Sequence, residues 1–374
     1  MVKSIVLNVL SLFTLVSIGF AKNVSDVKDC PALSRRTPSI SVNDLRADDI
    51  KVIGALGDSV TAGFGIMGFD KNSPDFIASQ KSKLEYRGLS YSIGGDGGAD
   101  TMPNFINHFQ PKVFGASVGS RLAGICTADK CNESHKPRID ILNGALSGAI
   151  AMNLDGELDY LISTMKSTKR IDFENDWKMI NIQIGSNDMC GACNTSYMDQ
   201  VTPEKYGDYV DSVVDRIQSS IPKVIVNLLS SFDLSQLFEL SAANSQYCVT
   251  RKDETGDAGC SCAANSEGLK KMKEFSKGYD QKLLKIYKKH RSNKSNSFAV
   301  AYQHCNLEFS KFSMEFFRFT TLDCFHPSLK GHTWLSKAFW NQLFLPQSRK
   351  PNRLLFNTEE TIYCPTDSDR ISID

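Results

Sequence analysis

The chain has 374 residues, with 43 Lys+Arg against 42 Asp+Glu and a formal net charge of +1. That balance excludes a dedicated polyanion binder, since nucleic-acid binders carry a net basic field, so no nucleic-acid partner is expected. Apolar residues at 41% and aromatics at 10% suffice for a real core, which excludes disorder as the main state.

In chain order, Met1–Ala21 reads as a secretory signal peptide. Lys3 gives a short positive region, Ile5 to Phe20 is almost wholly apolar or small, and Gly19 and Ala21 suit a signal peptidase. Cleavage is expected rather than an uncleaved anchor, because the run is short and no basic stop-transfer cluster follows. Residues 22–48 read as an N-terminal extension, and Ile50–Leu56 as a first buried strand. From about residue 63 to 137 the chain is rich in Gly, Ser, Asn and charge and is long for one connection. It reads as an insertion with some helix near Met102–Phe109, able to cover a site. Arg138–Leu142 reads as a short second strand, Trp177–Ile184 as a third, Val224–Leu229 as a fourth and Phe298–Tyr302 as a fifth.

Between the strands lie helix-period segments. Leu158, Leu161, Ile162 and Met165 share one face, and so do Tyr206, Val210, Val213, Val214 and Ile217. A longer helix follows Leu269, Met272, Phe275, Tyr279, Leu283 and Ile286, and a last one runs from about Leu329 into Phe344. Residues 347–374 form a polar tail, leaving 49–346 as the main domain and no transmembrane anchor expected. This alternation predicts an α/β fold with a mostly parallel five-stranded sheet, right-handed crossovers, and ligands beyond the carboxyl ends of the strands.

All eleven cysteines lie after the signal segment, as suits an oxidising compartment. Cys126 with Cys131, and Cys190 with Cys193, are close enough to staple single loops, and Cys248 with Cys260 or Cys262 can close another. The odd count leaves one thiol, expected at Cys305 in an apolar run. A zinc centre on Cys190-Gly-Ala-Cys193 needs a second ligand pair that the chain does not offer at suitable spacing, so no metal is expected. Sequons at Asn23, Asn132, Asn194 and Asn293 are glycan candidates for a secreted, extracellular chain.

Four polar motifs follow the predicted strands. Gly57-Asp58-Ser59 follows the first, where a serine entering a helix can present its hydroxyl, although Gly-Asp-Ser also makes an ordinary turn and cap. Asn143-Gly-Ala-Leu-Ser-Gly148 follows the second, and Gly148 can offer an unhindered N–H. Ile184-Gly-Ser-Asn187-Asp188 follows the third, where the Asn187 amide can donate to an oxyanion. Asp323-Cys-Phe-His326-Pro327 lies near the C-terminus. There Asp323 can hold one ring nitrogen of His326 while the other reaches a serine, and Pro327 keeps the histidine out of helical geometry. His332 falls inside the predicted last helix and ranks far below His326.

Together these motifs resemble the GDSL/SGNH hydrolase superfamily, which carries Ser, Gly, Asn and His blocks in this order, here Ser59, Gly148, Asn187 and His326 with Asp323. Ile53-Gly-Ala-Leu-Gly-Asp-Ser-Val-Thr-Ala-Gly63, Gly88-Leu-Ser-Tyr-Ser-Ile-Gly-Gly-Asp96, Trp177-Lys-Met and Asp323-Cys-Phe-His326 are similar to its phospholipase B branch. Members of that branch can carry tandem repeats and a membrane tail; this chain resembles one repeat without the tail. The resemblance implies a flavodoxin-like three-layer α/β/α sandwich and a serine esterase with no cofactor. The implied substrates are fatty acyl esters of phospholipids and lysophospholipids at a membrane or micelle interface. Carbohydrate or small-ester hydrolysis, or lipid binding without catalysis, are the alternatives. Lys270–Lys294, with ten Lys/Arg and two acidic residues, can approach anionic lipid, though a solvated helix face is the plainer reading.

Overall fold

The computed structural model describes residues 22–68, 84–128, 130–131, 135–244, 248, 260–292, 295–312, 319–321 and 323–374. The expected signal segment and the sequons at Asn132 and Asn293 lie outside them. The elements are β1 (Lys22–Val24), β2 (Ile50–Gly57), α1 (Ser59–Ala62), β3 (Leu84–Glu85), α2 (Met102–Phe109), β4 (Arg121–Leu122), α3 (Pro137–Asp140), α4 (Leu154–Ser167), β5 (Trp177–Gln183), α5 (Ser186–Gly191), α6 (Pro203–Ser220), β6 (Val224–Leu229), α7 (Leu234–Ala243), α8 (Ser266–Ser292), β7 (Phe298–Gln303), α9 (Leu329–Leu343) and β8 (Ile362–Cys364).

The central sheet has the order β2-β5-β6-β7 and is parallel throughout. Its strands are nearly continuous apolar runs because helices cover both faces. Pleating sends alternate residues to opposite faces. On one, Gly54 meets Leu161 of α4, and α4, α6 and α8 pack side by side. On the other, the Tyr91 hydroxyl donates to Gln183 Oε1 at 2.6 Å while its ring packs 5.6 Å from Phe339 of α9. That face also carries a buried amide ladder. Asn181 Nδ2 donates to Ser92 O, Asn227 Nδ2 to Asn181, and Gln303 Nε2 to Asn227, at 2.7–2.9 Å. Each of these amides donates within the ladder, as a dry sheet face favours, while Gln303 Oε1 at its end has no partner among the described residues.

The helices start where local chemistry says they should. Thr202 caps α6 by accepting from the Lys205 N–H, with Pro203 at the first position, and Ser328 caps α9 by accepting from Gly331. Two of the lysines of α8 face α6: Lys282 pairs with Glu204 at 3.2 Å, and Lys289 with Asp211 and Asp215 at 2.8 Å.

The expected second strand is corrected by the structure. Pro137 opens one helical turn, the Asp140 carboxylate accepts the Lys136 N–H at 2.6 Å, and Ile141 takes a positive φ of 51°. Only the next residues reach the sheet. Ala55 donates to Leu142 O and Gly144 to Ala55 O, while Val52 and Phe114 form a similar bridge further back. The open edge of β2 is thus covered by two short contacts, and among the described residues the regular sheet has four strands rather than five.

The disulfide expectations also need correction. Cys126 does join Cys131, but Cys190 pairs with Cys260 rather than Cys193, Cys193 with Cys262, and Cys248 with Cys324 rather than Cys260 or Cys262. Cys30–Cys364 closes the molecule, beside the antiparallel pairing of β1 with β8. Cys305 is the unpaired cysteine, buried, with its thiol pKa pushed well up by burial. No helix among the described residues is long and apolar enough to cross a membrane.

Candidate active site

Strand β2 ends in a turn that only glycine accommodates. Gly57 has φ 152°, and a Cβ there would lie 2.2 Å from the Gln183 carbonyl oxygen on the adjacent strand. Asp58 follows, fully buried, and its Oδ1 accepts the Val60 N–H at 3.0 Å. This starts α1 with Ser59 as its first residue, only 5% exposed at the floor of a cleft. Burial raises the Asp58 carboxyl above the usual carboxylate range.

His326 reaches Ser59 from a turn between β7 and α9. Its Nε2 lies 2.9 Å from Ser59 Oγ, and its Nδ1 lies 2.6 Å from Asp323 Oδ2. The other carboxylate oxygen of Asp323 accepts the Thr321 hydroxyl at 2.7 Å and the Phe325 and His326 N–H groups at 3.0 Å. Burial alone would raise this carboxyl, but the facing imidazole and these donors hold it below the usual carboxylate range. The sequence-predicted Ser59, His326 and Asp323 therefore form one continuous hydrogen-bonded relay. His332, one turn into α9, is buried away from it. Its Nδ1 accepts the Tyr91 N–H at 3.1 Å, and burial pushes its pKa down to about 3.

Gly148 and Asn187 line the same cleft as Ser59. Gly148 has φ 82°, and a Cβ there would lie 2.4 Å from Cys126 O. The Asn187 amide donates one hydrogen to Ala149 O at 2.9 Å, and the next residue, Asp188, accepts the Ala151 N–H at 3.0 Å. Asp188 is buried, which raises its carboxyl to about 7. These bonds fasten the segment after Gly148 to α5. Among the described residues, the backbone N–H groups of Ser59 and Gly148 have no acceptor.

The cleft holds about 310 Å³, and much of its wall is apolar, formed by Phe64, Ile125, Ile150, Tyr197, Phe238 and Phe325. Phe64 and Phe325 also bracket the His326 ring, with centroids 4.8 and 4.7 Å away. Sequence reasoning missed most of this wall, because its six residues come from six separate stretches. Asn23 is exposed on β1 and Asn194 is half-buried just after Cys193.

A serine, histidine and aspartate in relay, at the carboxyl end of a parallel sheet, form the arrangement that serine-dependent hydrolases use. The comparisons narrow the class: the chain belongs to the GDSL-like lipase/acylhydrolase family, whose model matches residues 53–339. It is 32% identical to membrane-associated phospholipase B1 of Homo sapiens over 343 residues, 88% of this chain and 22% of that relative. With the phospholipase B1 of Mus musculus it shares 31% over 344 residues, again 88% and 22%. The chain thus spans under a quarter of the length of these relatives. Among solved structures it resembles an acetylxylan esterase from Geobacillus stearothermophilus at TM-score 0.38 and 13% identity, covering 78% of this chain and 93% of that one. An extracellular lipase from Streptomyces rimosus follows at TM-score 0.34 and 14% identity, covering 75% and 94%.

Proposed function

We propose that this chain is a secreted serine esterase that cleaves fatty acyl esters of phospholipids and lysophospholipids through an acyl-enzyme. The observation that carries the reading is the Ser59–His326–Asp323 relay, with spacings of 2.9 and 2.6 Å, opening into an apolar-walled cleft. Ser59 Oγ attacks the ester carbonyl as His326 Nε2 takes its proton, while Asp323 holds Nδ1–H and stabilises the imidazolium. The oxyanion is received by the Ser59 and Gly148 N–H groups and the second hydrogen of the Asn187 amide. His326 returns the proton to the departing alcohol. It then takes one from water, which attacks the acyl-enzyme, and passes it to Ser59 Oγ as the fatty acid leaves.

The lipid preference is supported by the aromatic and aliphatic wall, which suits an acyl chain better than a sugar, and by the identity with phospholipase B1. Secretion is supported by the five disulfides and by the signal-like first 21 residues. In the same reading Asn23 and Asn194 carry glycans.

The test is labelling by a fluorophosphonate followed by peptide mapping, combined with turnover of lysophosphatidylcholine, phosphatidylcholine and an acetylated xylo-oligosaccharide. A tag on Ser59 with release of fatty acid from the phospholipids is expected. Cleavage of the acetylated sugar alone would overturn the lipid preference. Binding of lipid with no tag and no turnover would overturn the enzyme reading.

A further inference from the structure

Beneath the cleft lies a buried quartet of charges that the proposed mechanism does not use. Glu85 on β3, Arg87 just after it, Arg121 on β4 and Asp140 at the end of α3 come from distant parts of the chain, yet all four side chains are 0–5% exposed. Arg87 Nη1 lies 3.0 Å from Glu85 Oε2, and its Nε lies 2.9 Å from Asp140 Oδ1. Arg121 Nε lies 3.0 Å from Glu85 and 3.2 Å from Asp140. Two positive and two negative groups cancel. Even so, buried ion pairs are weak contributors to stability, because desolvation offsets most of their attraction. What such a cluster can do well is hold specific atoms in place.

The atoms it holds belong to the stretch leading into Gly148. Arg87 donates to Asn143 O at 2.7 Å and to Ala145 O at 2.9 Å, and Glu85 Oε1 accepts the Ser147 hydroxyl at 2.7 Å. The Ser147 carbonyl accepts the Cys126 N–H at 2.8 Å. In a trans peptide the carbonyl and the following N–H point opposite ways. Anchoring Ser147 at both its side chain and its carbonyl therefore fixes the direction of the Gly148 N–H. We propose that Glu85, Arg87, Arg121 and Asp140, acting through Ser147, are positioning residues that aim the Gly148 N–H at the oxyanion. This rests on the oxyanion role assigned to Gly148 above. It gives the inserted 63–137 region a task in catalysis, since three of the four charges come from it.

The experiment compares the parent with Ser147→Ala, Arg87→Lys and Asn187→Ala. It measures kcat and KM on p-nitrophenyl butyrate, inhibition by an alkyl trifluoromethyl ketone as a tetrahedral oxyanion mimic, and Tm. Misplacing one oxyanion donor should lower kcat about tenfold for Ser147→Ala and about ten- to a hundredfold for Arg87→Lys. Ketone affinity should fall in parallel and KM should stay within about twofold. A merely structural role would lower Tm while leaving kcat and ketone affinity unchanged well below the transition. Arg87→Lys removes a buried fork and can fail to fold; Ser147→Ala, losing only a hydroxyl, then decides alone. If Asn187→Ala loses kcat while Ser147→Ala keeps parental kcat and ketone affinity, the positioning proposal is wrong and the oxyanion reading stands. If Asn187→Ala also matches the parent on both measures, the oxyanion reading fails and the proposal with it.

Discussion

Ser59 and Asn187 leave adjacent parallel strands, whereas Asp323 and His326 sit on a connection between β7 and α9. The two halves of the site meet at 2.9 Å but are held by different physics. On the sheet side, position comes from the ladder: Gly57 pairs with Gln183 in register, so the ends of β2 and β5 are set by the same hydrogen bonds that build the core. On the turn side the holding comes from a few individual hydrogen bonds and one disulfide. Thr321 donates to His326 O at 2.8 Å, Ser328 to Phe319 O at 2.7 Å, and Leu329 to Ile66 O at 3.0 Å. Asp323 ties down four donors, and Cys324, at a φ of 53°, is bonded to Cys248. Sheet pairing fixes a residue through many cooperative bonds, while a turn needs a few strong ones. The relay is therefore expected to be more sensitive on the turn side to perturbations that spare the core.

The largest effect expected is loss of the shared contact itself. Ser59→Ala and His326→Ala should each reduce turnover by about a millionfold, and the double variant should be little worse, because the pair acts as a unit. Steady-state turnover with fluorophosphonate labelling measures this; additive losses would separate the two halves. Next come one substitution on each side. Asp323→Asn should keep the fold but misplace the imidazole tautomer, at a cost of about four orders of magnitude in kcat. Asn187→Ala, on the sheet side, should cost only about a hundred- to thousandfold. Equal losses would argue against the assigned roles.

Disulfide removal sharpens the contrast further. Replacing Cys248 and Cys324 together by alanine should destabilise by about 2–4 kcal/mol and lower kcat at temperatures where the protein stays folded. Replacing Cys30 and Cys364 should lower Tm with kcat unchanged, since neither cysteine lines the cleft. Thermal scans with kcat at 25 °C in each variant distinguish them, and a kcat loss confined to the second pair would reverse the comparison.

The smallest effects concern pH, where the two sides should oppose each other. Burial pushes His332, on α9 after the relay turn, down to about 3 from 6.5. Between those values the unfolded chain binds a proton that the folded one does not, so stability falls as pH drops from about 6.5 toward 3. Burial pushes Asp188, on α5, up to about 7 from 3.8. There the folded chain binds the extra proton, so its contribution is present in acid and is lost as pH rises through about 7. His332→Asn, whose amide oxygen can take the Tyr91 N–H, should flatten the loss in acid. Asp188→Asn should raise Tm at pH 8 and change it little at pH 4. Shifts of both variants in the same pH range would break the assignment.

Much of the scaffold was legible in the sequence, because burial on both faces turns a parallel strand into a continuous apolar run. Ile50–Leu56, Trp177–Ile184, Val224–Leu229 and Phe298–Tyr302 all read that way, and the helical faces of α4, α6 and α8 followed from spacing. The Asp323-x-x-His326 pattern was legible too, since its geometry is local: Asp323 binds the His326 backbone as well as its ring. What only the tertiary structure decided are the contacts between residues far apart in the chain. Arg138–Leu142 has the apolar content of a strand, yet Asp140 is drawn into a helical turn beside Arg87 and Arg121. Cysteine spacing favoured short loops, but Cys30 pairs with Cys364 across 334 residues, and Cys190 and Cys193 each reach to the stretch just before α8. The charged quartet left no trace in the sequence, because a buried arginine and a solvated one are the same letter. Whether a charge is buried depends on what folds over it, and local propensity carries no record of that.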